Sequence, residues 1–173
     1  VGINNETHLN YIYFNDLASP QQETSLINLL QLKAKYAFQS KIFSTQFTAL
    51  YQNSSNDVAL PRPELSATNN TFINFKLFKK KLGLQVGLKT MWFSNFNAPV
   101  YNPIIRQWQV TNQEFQSYPL ANPYLVAKVK SFNFGLEFFH AQMQLLGNDY
   151  YNSPNYPTMP RALRINIRWD MSN

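Results

Sequence analysis

Leu82-Gly83-Leu84-Gln85-Val86-Gly87-Leu88-Lys89-Thr90-Met91-Trp92-Phe93 is the stretch that decides the fold. Leu82, Leu84, Val86, Leu88 and Trp92 fall on one parity; Gly83, Gln85, Gly87 and Lys89 fall on the other. Successive side chains of a strand point to opposite faces of its sheet, so these residues read as a strand between an apolar and a polar environment. The same period returns at Ala162–Met171, where Leu163, Ile165, Ile167, Trp169 and Met171 oppose Arg164, Asn166, Arg168 and Asp170. It returns again at Lys41–Gln52, where Phe43, Thr45, Phe47, Ala49 and Tyr51 oppose Ser44, Gln46, Thr48 and Gln52. In Thr24–Phe38 only the second half separates cleanly, with Leu30, Leu32, Ala34, Tyr36 and Phe38 against Gln31, Lys33 and Lys35.

Extending this reading along the chain gives eight strands, at about 6–15, 23–38, 41–52, 65–78, 82–93, 121–130, 132–144 and 161–171. Short turns at Gln39-Ser40, Lys79–Lys81 and Ser131 alternate with longer Pro-, Asn- and Ser-rich connections at Leu17–Gln22, Asn53–Glu64, Ser94–Leu120 and Leu145–Pro160. The first strand separates its faces least well, and Asn102–Val110 reads as a hairpin inside the longest loop. Strands of this length exceed the roughly 5–6 residues usual in soluble sheets and suit the about 9–11 residues of a tilted membrane-crossing strand. Length, alternation and loop asymmetry together predict an all-β, antiparallel, up-and-down transmembrane β-barrel. The competing reading is a soluble β-sandwich with Phe and Tyr in its core, where strands this long and outer faces this apolar are rare.

Composition agrees. The chain has 173 residues, of which 45% are hydrophobic, 16% aromatic and 14% charged, with a formal net charge of +6 and no Cys. The mean hydropathy of -0.34 argues against a transmembrane helix. Without Cys there is no disulfide framework and no thiolate metal site. The aromatics gather at both strand ends, as headgroup-level girdles do. Tyr36, Phe38, Phe43, Phe75, Phe78, Phe132, Phe134 and Trp169 lie toward the short turns, and Tyr51, Trp92, Phe93 and Tyr124 toward the long loops. Of these, Tyr36, Phe38, Phe43, Tyr51, Trp92, Phe134 and Trp169 are the candidate membrane-interface set.

The polar parity lists the candidate pore lining: Gln31, Lys33, Lys35, Gln46, Asn74, Lys76, Gln85, Lys89, Lys128, Glu137, Arg164, Asn166 and Arg168, accompanied by Ser44, Thr48, Asn70 and Asp170. Basic members outnumber acidic ones, so a water-filled passage lined this way would focus a positive potential and attract anions. Arg164 and Arg168 can instead pair with Glu137 or Asp170, and Lys79–Lys81 reads as a solvated turn. Catalytic patterns are missing. His8 and His140 lack metal-ligand spacing, five Gly scarcely allow a phosphate loop, and nothing pairs Asp57, Glu64, Asp149 or Ser153 with a base. We therefore expect no enzyme, no cofactor and no metal. Basic residues alternate with apolar ones along whole strands rather than forming one stripe, which argues against nucleic-acid binding.

Two runs carry a family resemblance. Ser117-Tyr118-Pro119-Leu120-Ala121-Asn122-Pro123-Tyr124-Leu125-Val126-Ala127-Lys128-Val129-Lys130, with Asn133–His140 after it, resembles the Tyr-Pro-initiated penultimate hairpin of the putative porin family of Bacteroidetes outer membranes. Tyr156-Pro157-Thr158-Met159-Pro160-Arg161, followed by Leu163–Trp169, is similar to that family's closing Tyr-Pro-Met-Pro-Gly-Arg segment and terminal strand, with Thr158 extra and the Gly absent. The resemblance implies a barrel in the outer membrane of a Gram-negative bacterium that works in passive diffusion of small polar or anionic solutes. It also implies larger relatives, so residues 1–173 are expected to be the C-terminal fragment of a larger barrel, or else a complete small barrel domain, with 94–120 as a long extracellular loop. The alternative is a non-transporting structural or assembly-partner barrel. The partners expected are outer-membrane lipid, small polar solutes and, on the alternative, proteins of an envelope complex.

Overall fold

Extended backbone dominates because β-branched and aromatic residues alternate with polar ones over long runs. The computed structural model describes residues 1–143, 151–153 and 156–171. Its main element is one antiparallel sheet of eight strands: β1 (Gly2–His8), β2 (Ile27–Gln39), β3 (Phe43–Ser54), β4 (Leu65–Leu77), β5 (Leu82–Phe93), β6 (Leu120–Val129), β7 (Phe132–Phe139) and β8 (Ala162–Trp169). Each strand pairs with its sequence neighbours, so the sheet is an up-and-down meander whose free edges are β1 and β8.

Several boundaries differ from the sequence reading, among them the start of β2, which lies at Ile27 rather than residue 23 because Pro20–Glu23 pairs with Tyr11–Phe14. The expected first strand, 6–15, is broken. Asn10 takes φ 54°, a left-handed conformation that Asn tolerates better than most residues. Gly2–His8 therefore pairs with β2, while Tyr11–Phe14 leaves for a second sheet. The strand expected over 132–144 stops at Phe139, because His140 turns to φ 54° and its N–H donates to Asn122 Oδ1 at 2.8 Å. The last strand ends at Trp169 rather than Met171. β5 occupies the expected residues.

The short turns are tight. Between β2 and β3, Ser40 Oγ accepts the Phe43 N–H at 2.9 Å. Between β4 and β5, Phe78, Lys79 and Lys80 all hold positive φ, at 50°, 55° and 72°. Left-handed backbone costs an L-residue roughly 1–2 kcal/mol, so this turn is held by the β4–β5 ladder on either side of it. Between β6 and β7, Lys130 sits at φ 52°.

The long connections fold over the other end. Tyr11–Phe14 and Pro20–Glu23 form a hairpin. Val100–Asn102 and Gln107–Gln109 form a second, within the loop where one was expected. The two join through Gln109 and Phe14 into a four-stranded sheet. Phe96-Asn97 pairs with Glu114-Phe115, which brings Phe93, Phe96 and Phe115 into a ring cluster with centroids 5.8–6.2 Å apart. Tyr151–Ser153 pairs with Tyr156-Pro157 between β7 and β8.

The register sorts the side chains by face. Rows such as Phe75–Leu84–Ala127–Phe134–Ile167 define an apolar face, and rows such as Asn74–Gln85–Val126–Gly135–Asn166 define a polar one. Much of the apolar face is open: Val86 and Leu88 are each 41% exposed, Ile165 58% and Ile167 64%, while Leu82, Leu84, Leu125, Phe134 and Leu136 are half-buried. A two-layer sandwich would have sealed them. Total accessible surface is 12037 Å², against about 8,800 Å² for a compact water-soluble protein of this mass.

What core there is lies elsewhere. Ile27 and Leu29, at the long-loop end of the polar face, are 0% and 1% exposed and pack with Ala59, Leu60, Tyr11 and Tyr13. Leu29→Ala is expected to cost about 2–5 kcal/mol and to expose 55–64 to limited proteolysis. Urea unfolding and cleavage mapping check both outcomes.

Candidate functional site

Alternation places the candidate pore-lining residues before any contact is considered. Gln31, Lys33 and Lys35 on β2 face Gln52, Leu50 and Thr48 on β3, and Gln46 faces Asn70 on β4. Asn74 and Lys76 face Gln85 and Gly83, and Lys89 faces Asn70. Lys128 on β6, Glu137 on β7 and Arg164, Asn166 and Arg168 on β8 continue the same face. Every one of these residues, with Ser44, Thr48 and Asn70, lies on the polar face.

At mid-sheet they form a charged trough of about 450 Å³, lined by Asn70, Gln85, Lys89, Tyr124, Glu137, Arg164 and Asn166. Lys89 Nζ lies 2.9 Å from Glu137 Oε1, and Arg164 Nη1 lies 3.8 Å from Glu137 Oε2. One carboxylate therefore sits between two cations, and the cluster keeps one net positive charge. Both cations also lie over rings, Lys89 at 5.0 Å from Tyr124 and Arg164 at 4.9 Å from Phe139. Tyr124 Oη donates to Asn70 Oδ1 at 3.0 Å. Gly87, directly opposite Tyr124, makes room for its ring: a Cβ there would stand 2.4 Å from Tyr124 Cζ.

Toward the short turns the trough widens to about 880 Å³ around Asn74, Lys76, Gln85, Lys128 and Asn133. Arg168 is taken by Asp170 through two contacts, Nε–Oδ1 at 2.8 Å and Nη2–Oδ2 at 3.0 Å. The Arg168 hydrogen bond is the main influence holding the Asp170 carboxyl below its ordinary pKa. Three of the seven basic lining candidates are thus ion-paired. Among the described residues, no carboxylate lies within ion-pair distance of Lys33, Lys35, Lys76 or Lys128.

The candidate interface aromatics divide as the register dictates. Tyr36, Phe38, Phe43, Tyr51, Trp92, Phe134 and Trp169 are on the apolar face. Phe93 and Tyr124, also assigned to the girdle, are on the polar face instead. Phe93 joins the Phe96–Phe115 cluster under the long loop, and Tyr124 lines the trough. Tyr124 shares parity with Asn122 and Lys128, and that signal was available in the sequence. His140 is 3% exposed, with Nδ1 at 2.8 Å from the Met159 carbonyl oxygen. His8 lies 3.7 Å from Glu6 and edge-on to Tyr11. Asp57 and Glu64 line a separate cleft under the loops, while Asp149 and the side chain of Ser153 lie outside the described residues.

Lys89 is about half exposed, so its attraction to Glu137 is screened. A double-mutant cycle of Lys89→Met with Glu137→Gln is expected to return a coupling of about 1 kcal/mol or less, read from unfolding free energies.

Residues 1–173 match the family described as "Putative porin". No curated protein and no solved structure matches the chain.

Proposed function

The chain belongs to the family described as "Putative porin", and on that premise we propose that it is a channel of the Gram-negative outer membrane through which small polar or anionic solutes diffuse passively. The carrying observation is the uncovered apolar face. Val86, Leu88, Ile165 and Ile167 stand open on one side of a sheet whose other side is charged. Acyl chains match the first side and an aqueous interior matches the second.

In that setting the sheet is the wall of a closed transmembrane barrel. An unpaired N–H or C=O in hydrocarbon costs several kcal/mol, so the free edges of β1 and β8 are satisfied by pairing, to each other or through additional strands. Tyr36, Phe38, Phe43, Phe134 and Trp169 form one headgroup belt, and Tyr51 and Trp92 the other. The 94–120 segment lies on the extracellular side. Solute passes along the polar face, and the chain carries out no catalysis and uses no cofactor.

Ion pairing reassigns the selectivity. Lys89, Arg164 and Arg168 are held by Glu137 and Asp170. An anion preference therefore rests on Lys33, Lys35, Lys76 and Lys128, with one net charge from the Lys89–Glu137–Arg164 cluster.

A second reading, a non-transporting structural or assembly barrel, is favoured by the loops packed over the polar face around Ile27, Leu29, Ala59 and Leu60. Planar bilayers separate the two. An open channel gives conductance steps, and Lys33→Gln/Lys35→Gln/Lys76→Gln/Lys128→Gln is expected to bring the anion-to-cation permeability ratio down toward unity. Arg168→Gln with Asp170→Asn is expected to leave that ratio in place. Absence of steps favours the structural reading, and an unchanged ratio in the four-lysine variant removes the anion assignment.

A further inference from the structure

We propose that the short-turn rim of the sheet is a docking collar for the anionic glycerophosphate headgroups of a phospholipid leaflet. The inference rests on the membrane reading above and adds to it a partner that the channel itself does not require.

All three short turns combine exposed lysine with exposed apolar bulk. Lys41 stands two residues from Phe43, which is exposed on the apolar face, and with Ile42 it also borders the mouth of the wider trough. Lys79, Lys80 and Lys81 follow Phe78, which is 75% exposed. Lys130 sits between Val129 and, across the turn, Phe132. An apolar group entering the acyl boundary while its neighbouring ammonium stays at phosphate level is the arrangement an anionic interface selects.

Charge is segregated along the strands. Glu6, Asp16, Glu23, Asp57, Glu64 and Glu114 belong to the long-loop end, in the last residues of β1 or in the connections beyond it. At the short-turn end the acid among the described residues is Asp170, and Arg168 already holds it. Among the described residues, no carboxylate lies within ion-pair distance of the exposed rim lysines.

The middle turn adds a cost that such a surface relieves. Phe78, Lys79 and Lys80 are left-handed in succession, and three adjacent ammonium groups repel one another. Strain of this kind persists where a site uses it. Spacing favours a surface over a small soluble anion. The first and third turns are four strand spacings apart, roughly 19 Å, too far for one phosphate to bridge.

The test uses the full chain reconstituted in phosphatidylcholine vesicles with and without phosphatidylglycerol. Spin-labelled lipids report which headgroup associates with the protein, and heat-modifiable gel mobility reports insertion. The native chain is expected to prefer phosphatidylglycerol several-fold. Lys41→Gln/Lys79→Gln/Lys80→Gln/Lys81→Gln/Lys130→Gln is expected to lose that preference. Lys41→Gln/Lys130→Gln, which leaves the strained turn intact, is expected to lose part of it, and Lys33→Gln/Lys35→Gln in the trough none.

Insertion without headgroup preference, or a preference retained by the five-lysine variant, overturns the collar alone. A preference abolished by inorganic phosphate at constant ionic strength assigns the rim to a soluble anion and also overturns it. Failure of the native chain to insert overturns the membrane reading, and the collar with it.

Discussion

Every face assignment depends on the hydrogen-bonded register of the eight-stranded meander. A residue's face follows from its parity and its partner, so one slip of register would exchange the two faces of a strand entirely. The pairing from β1 to β8 is continuous through neighbouring strands. Leu84, Val86 and Leu88 thus stand beside Phe75, Ile73 and Thr71 on one side of the sheet, and Gln85 beside Asn74 on the other. Aqueous burial cannot be what stabilises a sheet with its greasy side open. Within the sheet itself, the backbone ladder is the term that remains.

The apolar face is not uniform. Thr45, Asn69 and Thr71 lie on it near mid-strand. Thr45 Oγ1 is 2.8 Å from Thr71 Oγ1, Thr71 Oγ1 is 2.8 Å from Asn69 Oδ1, and Asn69 Nδ2 donates to Thr45 Oγ1 at 3.1 Å. The three polar groups satisfy one another across the β3–β4 pair. That is the condition under which hydroxyl and amide groups are tolerated in a low-dielectric medium.

Much of this was legible from alternation alone. β5 lies on the residues that alternation predicts, and the register sets the lysines, Glu137 and the arginines of β8 on one face, because strand parity survives errors of a residue or two in boundaries. What failed depended on single backbone conformations or on tertiary packing. Asn10 ends β1 by adopting a left-handed φ, which a period-two pattern does not encode. Phe93 and Tyr124 were assigned by their distance from a loop rather than by parity, and parity would have placed them on the polar face. Ile27 and Leu29 share the polar parity of Lys33 and Lys35, yet among the described residues they are the largest fully buried side chains. Only the loops folded over that end of the face explain them, and loop placement is a long-range property.

That end of the face joins the capping loops to the trough. Apolar groups at Ile27, Leu29 and Phe93 give Ala59, Leu60, Phe96 and Phe115 something to pack against, so the long connections are drawn onto the polar face instead of extending into solvent. Toward the short turns the same face carries Lys35, Lys76 and Lys128, whose hydration and mutual repulsion oppose any such packing. The polar face of the sheet is therefore divided by composition into a covered end and a more open remainder. Widening the covered part would need apolar residues where the lysines stand, and opening it would require stripping Ile27 and Leu29 of their partners. The extent of the trough is thus set by where along β2 the side chains change from aliphatic to cationic, between Leu29 and Lys33.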